Sequence, residues 1–496
     1  SASTDLRWRD GLTVEDGLIR AAGAEVAVSG GVGPAGWDLG VRSRDADLTA
    51  ILAALPYQIP WSIGRSSGRA SVDAKITGPL THPTLTGDVE ARQLILGELA
   101  CERLQGQFRL DGSVVSFPNL QAWAGERSYA AQGWLDLKAQ TVDLVMNVTR
   151  GDLAALLDLA NVRPPWPVKG QVTGGVELTG HLKQPALTAN LRLEEGSAGT
   201  VSFAGEIECH YDGQTLICQR ASLTYDGGEL TASGRLADDE FQLALNARAL
   251  PLDDLATLAG YHEKIRGRGN LNLTLNRAGR SMHGEYRLEI GAGASVAGIP
   301  LDRVMVEGAI KDRNIVLSQG ELVSGEHSLS ASGRFPLPQN LGVLEVLLRG
   351  VPGGQDRLGL RVEGAGFPAA LLNPALQGKF AFSGGSIDID ATLAGTWAAP
   401  AMEGSIDLVD ASGGTSLLPE QITGLNARFE LTGQDLILRQ AAARIGAGRA
   451  EFSGTIGLAR GGPRYDLRLK GSNIAYKNPA FIDGVASNLD LALKGR

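Results

Sequence analysis

At 496 residues the chain is too long for one ordinary hydrophobic core, so several domains or a repeat array are expected. Its 66 glycines and only 5% aromatic residues suit many short strands and turns better than a helix-rich enzyme core. A net charge of -9 without long runs leaves no basic footprint for nucleic acid, and three cysteines cannot staple a chain of this size.

No stretch reaches the roughly 20 apolar residues of a membrane span, and no charged-then-apolar leader opens the sequence, so any anchor is expected outside it. Residues 1–67 read as the tail of a β-repeat. Gly31-Val32-Gly33-Pro34-Ala35-Gly36 spells the glycine pattern of a dinucleotide site. Pro34 and the strand-like Trp37-Asp38-Leu39 stand where the required helix would begin, so a loop between strands is expected. Asp47-Leu48-Thr49-Ala50-Ile51-Leu52 reads as a short helix with an acidic start, followed by an aromatic, proline-rich crossover at Pro56-Tyr57 and Pro60-Trp61. Gly64-Arg65-Ser66-Ser67-Gly68 has the spacing of a nucleophile elbow, but an alternating strand follows it and no helix does, so it reads as a linker.

Residues 68–169 form the first whole repeat. Val72, Ala74 and Ile76 alternate with Ser71, Asp73, Lys75 and Thr77, and Leu85, Gly87, Val89 and Ala91 alternate with Thr86, Asp88, Glu90 and Arg92. Leu104, Gly106, Phe108 and Leu110 do the same against Arg103, Gln105, Gln107 and Arg109, up to an Asp111-Gly112 turn. Period two with one wet face predicts half-buried strands, and short turns between them predict an antiparallel meander. Val142, Leu144 and Met146 continue the apolar set, and 152–157 reads as a second short helix before Pro164-Pro165-Trp166-Pro167.

The second repeat, 170–266, places Val176, Leu178, Leu187, Leu191, Leu193 and Ile207 inward, then Leu230, Phe241, Leu243 and Leu245. Cys209 and Cys218 are close enough to face each other across a hairpin, as free thiols or as a disulfide. A third helix is expected over 253–258. The third repeat, 267–382, contributes Leu271, Leu273, Met282, Tyr286 and Leu288, then Val304, Val306, Leu329 and Phe335. It also holds an extra strand and a weak helix over 369–376, interrupted by Pro374. The fourth repeat, 383–482, supplies Ile387, Ile389, Met402, Ile406, Leu408 and Leu425, then Phe429, Leu431, Phe452, Ile456 and Leu467. Residues 483–496 read as the first strand of a further repeat.

Two markers fix this repeat of about 100 residues. A glycine closes an apolar-small-Gly run at Gly30, Gly133, Gly234, Gly333 and Gly454. A Gly-to-Pro turn joins the first two strands at Gly78 and Pro83, Gly180 and Pro185, and Gly395 and Pro400, with Arg280 in the proline place of the third repeat. The six histidines, His82, His181, His210, His262, His283 and His327, lack metal-ligand spacing and read as solvated surface. Asp388 and Asp390 share one outer strand face and read as wet carboxylates. No catalytic residue, cofactor site or metal site is expected.

One apolar face per strand must be covered by something, and one short helix per six or so strands supplies little cover. The expected fold class is therefore all-β: an elongated single curved antiparallel sheet with one short helix per repeat, folded along its length around an apolar channel. About 25 to 30 strands at roughly 4.8 Å give a groove on the order of 120 to 140 Å. Acyl chains, apolar and continuous, are its natural cargo. Inward Gly87, Ala189, Gly234, Gly333 and Gly404 either keep the channel wide or permit tight curvature.

The recurring runs Leu178-Thr179-Gly180 through Pro185-Ala186-Leu187, Leu230-Thr231-Ala232-Ser233-Gly234-Arg235-Leu236 and Phe452-Ser453-Gly454-Thr455-Ile456 carry a resemblance. In their order and repetition the chain resembles the TamB branch of the AsmA-like proteins, bacterial repeating β-groove lipid-transfer proteins. The resemblance implies an internal fragment of a periplasmic protein anchored in the inner membrane. Phospholipids would move along its groove toward the outer membrane, and an Omp85-type outer-membrane barrel would be a partner. Two rivals stand beside this expectation. A scaffold for outer-membrane protein assembly would offer strand edges. A secreted β-solenoid adhesin or polysaccharide enzyme would cluster aromatics and carboxylates on one outer face.

Overall fold

The computed structural model describes residues 2–3, 6–8, 11–21, 24–48, 66–159, 168–198, 201–237, 240–253, 265–296, 299–336, 357–373, 376, 380–396, 399–414, 420–459, 462–478 and 482–495. The protein is all-β, as the alternation predicts, and packs as two compact units. One comprises residues 1–225 and 231–238, the other 226–230 and 239–496. The division falls within the strand Gly228–Leu236, not at an expected repeat boundary.

In the first unit, thirteen strands from Leu12–Ala21 to Leu216–Tyr225 each pair antiparallel with the next. In the second, fourteen from Glu240–Pro251 to Leu489–Gly495 do likewise. Among the described residues no pairing joins the first and last of these strands in either unit, so each sheet is open. Gly33 pairs with Gly36 across a hairpin, and Ser66 opens the strand Ser66–Gly78. Neither the dinucleotide pattern nor the nucleophile pattern is followed by a helix.

Because facing residues of an antiparallel pair share a face, the register carries the apolar side from strand to strand. One row runs Val72, Val89, Gly106, Leu120, Ala131, Met146, Val176, Ala189 and Cys209. In the second unit a row runs Leu271, Leu288, Val306, Gly320, Ala331, Val362, Ala391, Gly404, Leu431, Leu436 and Ile456.

The marker glycines have a backbone cause. Gly133 and Gly333 adopt φ of 143° and 136°, and a Cβ there would collide with the carbonyl oxygens of Asp143 and Gly359 on the neighbouring strands. Gly30 and Gly454 repeat this arrangement. Only glycine fits where the backbone turns over this close to its neighbour.

A second recurring device bends the strands. The ladder skips two residues after Ser43, Val148, Ala247, Gly364 and Leu408. The second skipped residue is left-handed each time: Asp45, Arg150, Ala249, Gly366 and Asp410, with φ between 47° and 74°. Its N–H has lost its ladder partner and donates instead to a side chain on the next strand. The acceptors are Ser71 Oγ (3.1 Å), Thr173 Oγ1 (3.0 Å), Asn270 Oδ1 (2.9 Å), Asp388 Oδ1 (2.7 Å) and Asn426 Oδ1 (3.0 Å). Two residues stand against one on the partner strand, so the alternation slips by one and the next residue, Ala46, Gly151, Leu250, Phe367 or Ala411, returns to the buried side.

The first four bulges feed the stretches expected to be helical. Leu153–Leu159 is an α-helix, and Asp152 Oδ1 accepts the Ala155 N–H at 3.1 Å, the cap that its acidic start predicts. The expected helix over 369–376 is a four-residue 3-10 turn, Ala369–Leu372, and Pro374, which interrupts the stretch in the sequence, lies outside the described residues. Leu48 and Leu252-Asp253 are helical, while the rest of 47–52 and 253–258 lies outside the described residues, as do the aromatic proline links at 56–61 and 164–167. The described residues thus hold one α-helix at an expected place, and one helix per repeat is a finer expectation than they support.

Candidate functional site

All forty residues expected to line the channel lie on the apolar side of their strands, and none is exposed. Val142, Val176, Leu193, Phe241, Met282, Ile387, Leu408 and Leu431 are buried, and the others are half-buried. In a closed sandwich, aliphatic side chains in the middle of a strand would be fully covered. Here Leu85, Leu104, Phe108, Leu144, Leu178 and Leu191 keep part of their surface open.

Full burial is concentrated at one margin of each sheet, just past the bulges. In the first unit Ala155 and Leu156 of the helix pack with Leu94, Leu99, Cys101, Tyr129, Val148, Val172 and Leu193. In the second, Phe367, Ala369, Phe382, Ile387, Leu408 and Ala411 cluster with Leu371 and Leu372. Burial raises the Cys101 thiol and the Tyr129 phenol above their ordinary pKa values, as a dry margin should. Each unit thus has a sealed margin and, beside it, rows of apolar side chains that the described residues leave partly uncovered. Counting strands at ~4.8 Å, the two rows traced above extend for roughly 40 and 50 Å.

The opposite face is polar. Arg103, Gln107 and Arg109 are exposed and Gln105 is half-buried, as expected of that strand. Cross-strand ion pairs run along it: Arg42 with Asp73 at 2.8 Å, Arg192 with Glu206 at 2.9 Å, Arg303 with Glu321 at 2.8 Å and Arg468 with Asp490 at 2.6 Å. Water and salt screen exposed pairs of this kind, so they fix register and solubility more than stability.

Two depressions, of about 1030 and 710 Å³, open on this polar face of the first unit and not on the apolar one. The larger is lined by Lys75, Asp88, Gln107, Arg109, Trp134 and Asp143 among others. A twisted sheet is a saddle, concave on each face along a different diagonal, which accounts for hollows on the wet side.

His82, His181, His283 and His327 are exposed, and His210 is half-buried with Nδ1 2.9 Å from Thr188 Oγ1. His262 lies outside the described residues. Asp390 is exposed and pairs with Arg361 at 3.3 Å, but its neighbour Asp388 caps the bulge at Gly366. Spacing alone could not separate these two carboxylates. Among the described residues no group of histidine, cysteine, aspartate and glutamate side chains is arranged to hold a metal ion, and no helix is long and apolar enough to cross a membrane. No protein-family description matches the chain, and no curated protein matches it.

Proposed function

We propose that the apolar face of each unit is a trough for phospholipid acyl chains, and that the protein is a non-catalytic conduit between the inner and outer membranes of a diderm bacterium. The observation that carries this reading is the run of apolar residues through consecutive register partners, many of them half-buried, beside a margin that is already sealed. Acyl chains need no hydrogen-bond partners and can cover such a row wherever they lie along it. Headgroups would stay at the wet rim. The resemblance to the TamB branch adds the periplasmic setting, an inner-membrane anchor outside this sequence and an Omp85-type barrel as partner.

Protein purified without detergent, extracted with organic solvent and examined by mass spectrometry should yield phospholipid. Leu191→Asp and Leu273→Asp, which set an unpaired carboxylate on the apolar face, should deplete it, while Asn272→Asp, the outward neighbour of Leu273, and Gln242→Asp, outward on the preceding strand, should not. Lipid-free protein from a native preparation would defeat the proposal and leave the assembly-scaffold reading in its place.

A further inference from the structure

We propose that Cys209 and Cys218 are a cross-linking site, converted by thiol–disulfide exchange into a disulfide that staples two adjacent strands from the apolar side of the sheet. This inference stands apart from the lipid reading, because it rests on register alone.

The two cysteines are direct partners across the hairpin formed by Val201–Tyr211 and Leu216–Tyr225. Facing residues of an antiparallel pair have Cα atoms about 4.5–5.5 Å apart, inside the span a disulfide bridges. The turn holds them in that position. Asp212 accepts the backbone N–H groups of Gln214 at 3.0 Å and Thr215 at 2.7 Å, its own N–H donates to Thr215 O at 3.2 Å, and Tyr211 Oη donates to Gly213 O at 2.8 Å. A slip by one residue would break this set. On the far side of the pair the register shifts, with Glu208 facing Arg220 and Gln219 left over as the bulged residue. The cysteines are therefore the last facing pair before an irregularity, where a staple would hold the ladder together.

Both thiols lie on the apolar side: Cys209 faces Ala189 on the preceding strand, and Ile207 on the same face meets Leu191 and Ala221. They are half-buried, not enclosed, and both are free thiols in the structure. Burial, with the neighbouring thiol, pushes Cys209 up to about 11. Burial raises Cys218 as well, against the backbone N–H of Arg220, which favours its thiolate. Cys218 is accordingly the first nucleophile and Cys209 the resolving thiol.

The chemistry needs a disulfide oxidant, for which oxidised glutathione serves. The Cys218 thiolate attacks one glutathione sulfur, breaking that S–S bond and releasing one glutathione thiolate. Cys209, losing its proton to solvent, then attacks the Cys218 sulfur and expels the second glutathione. Two protein thiols are oxidised, and one oxidised glutathione becomes two reduced.

The test is incubation of the native chain with oxidised glutathione at about pH 8.5, then alkylation, intact mass and peptide mapping. The expected result is a loss of about 2 Da, a fall in titratable thiols from three to one, and a linked pair of peptides carrying Cys209 and Cys218. Cys209→Ser should instead stop at a stable glutathione adduct on Cys218. Three thiols still free under these conditions, when the urea-unfolded chain reacts, would overturn the proposal. So would a link that includes Cys101, or one between chains.

Discussion

Thr173 shows how much a single hydroxyl does at a bulge. Its Oγ1 accepts the left-handed Arg150 N–H at 3.0 Å and donates to Glu194 Oε1 at 3.0 Å. Thr173→Val keeps the shape and removes both bonds, so the bend at Val148–Gly151 should open more easily by about 1 kcal/mol, read as faster amide exchange there. Thr173→Ser should restore most of the protection. Gly333→Ala tests the other backbone device. Its methyl has nowhere to go against Gly359 O, and a loss of about 1–3 kcal/mol should appear as lost exchange protection in His327–Pro336 and Leu358–Pro368. Titration at the turns has a definite sign. Backbone N–H donors at Ala139 and Lys138 and the Ser113 hydroxyl hold Asp136 below the ordinary carboxylate range, and Thr215 and Gln214 do the same for Asp212. A depressed carboxylate stabilises above its unfolded pKa, and that stability is lost as pH falls through the folded one. The Tm advantage of the native chain over Asp212→Asn should thus be constant near neutrality and be lost as the pH falls below the ordinary carboxylate range and through the depressed pKa of Asp212.

At the scale of elements, the helix Leu153–Leu159 seals a margin, and Leu156 is its buried contact with the sheet. Leu156→Ala should loosen that margin by about 2–4 kcal/mol, measured by proteolysis or amide exchange at Leu94–Cys101 and Val148–Val172, while the strands of the second unit keep their protection. Much of this level was legible in the sequence. Alternation gave the strand faces because side chains on a strand have period two whatever the tertiary structure, and Asp111-Gly112 gave its hairpin because Gly112 takes the positive φ, 62°, that the turn needs. The bulges were not legible. Asp45, Arg150, Ala249 and Asp410 share no composition, and the residues that cap them stand 16 to 26 positions away, on neighbouring strands where they look like any other polar residue of the wet face. Each bulge slips the alternation by one, as from Ser43 to Ala46, but the run beyond it is too short for the slip to stand out in the sequence. The candidate trough was readable as a face, but its sealed margin was not, because burial at Phe367 or Ala411 depends on where the chain bends and not on hydrophobicity. The hollows on the polar face follow from sheet twist and leave no trace in residue order.

Across the whole molecule, a conduit and a store of bound lipid make different demands on the same apolar faces. A store loses capacity in proportion to the positions damaged, so plugs in the two units should reduce function additively. A conduit works in series, and one obstruction anywhere stops flow. Leu191 lies in the first unit and Leu273 and Phe429 in the second, each half-buried on the apolar side. If lipid is conducted, Leu191→Asp alone should abolish transport, read as outer-membrane integrity in cells that carry the variant in the whole protein at equal abundance. The same purified variant should still hold roughly half of the native lipid complement, on the unit left intact. Combining Leu191→Asp with Phe429→Asp should then remove most of the remaining lipid and worsen the cellular defect no further, since interactions in series are not additive. Outward Gln242→Asp should move neither readout, because it places a charge where water already solvates the strand. Additive loss of function across the two units would favour storage, and full envelope integrity in every well-folded inward variant would exclude both.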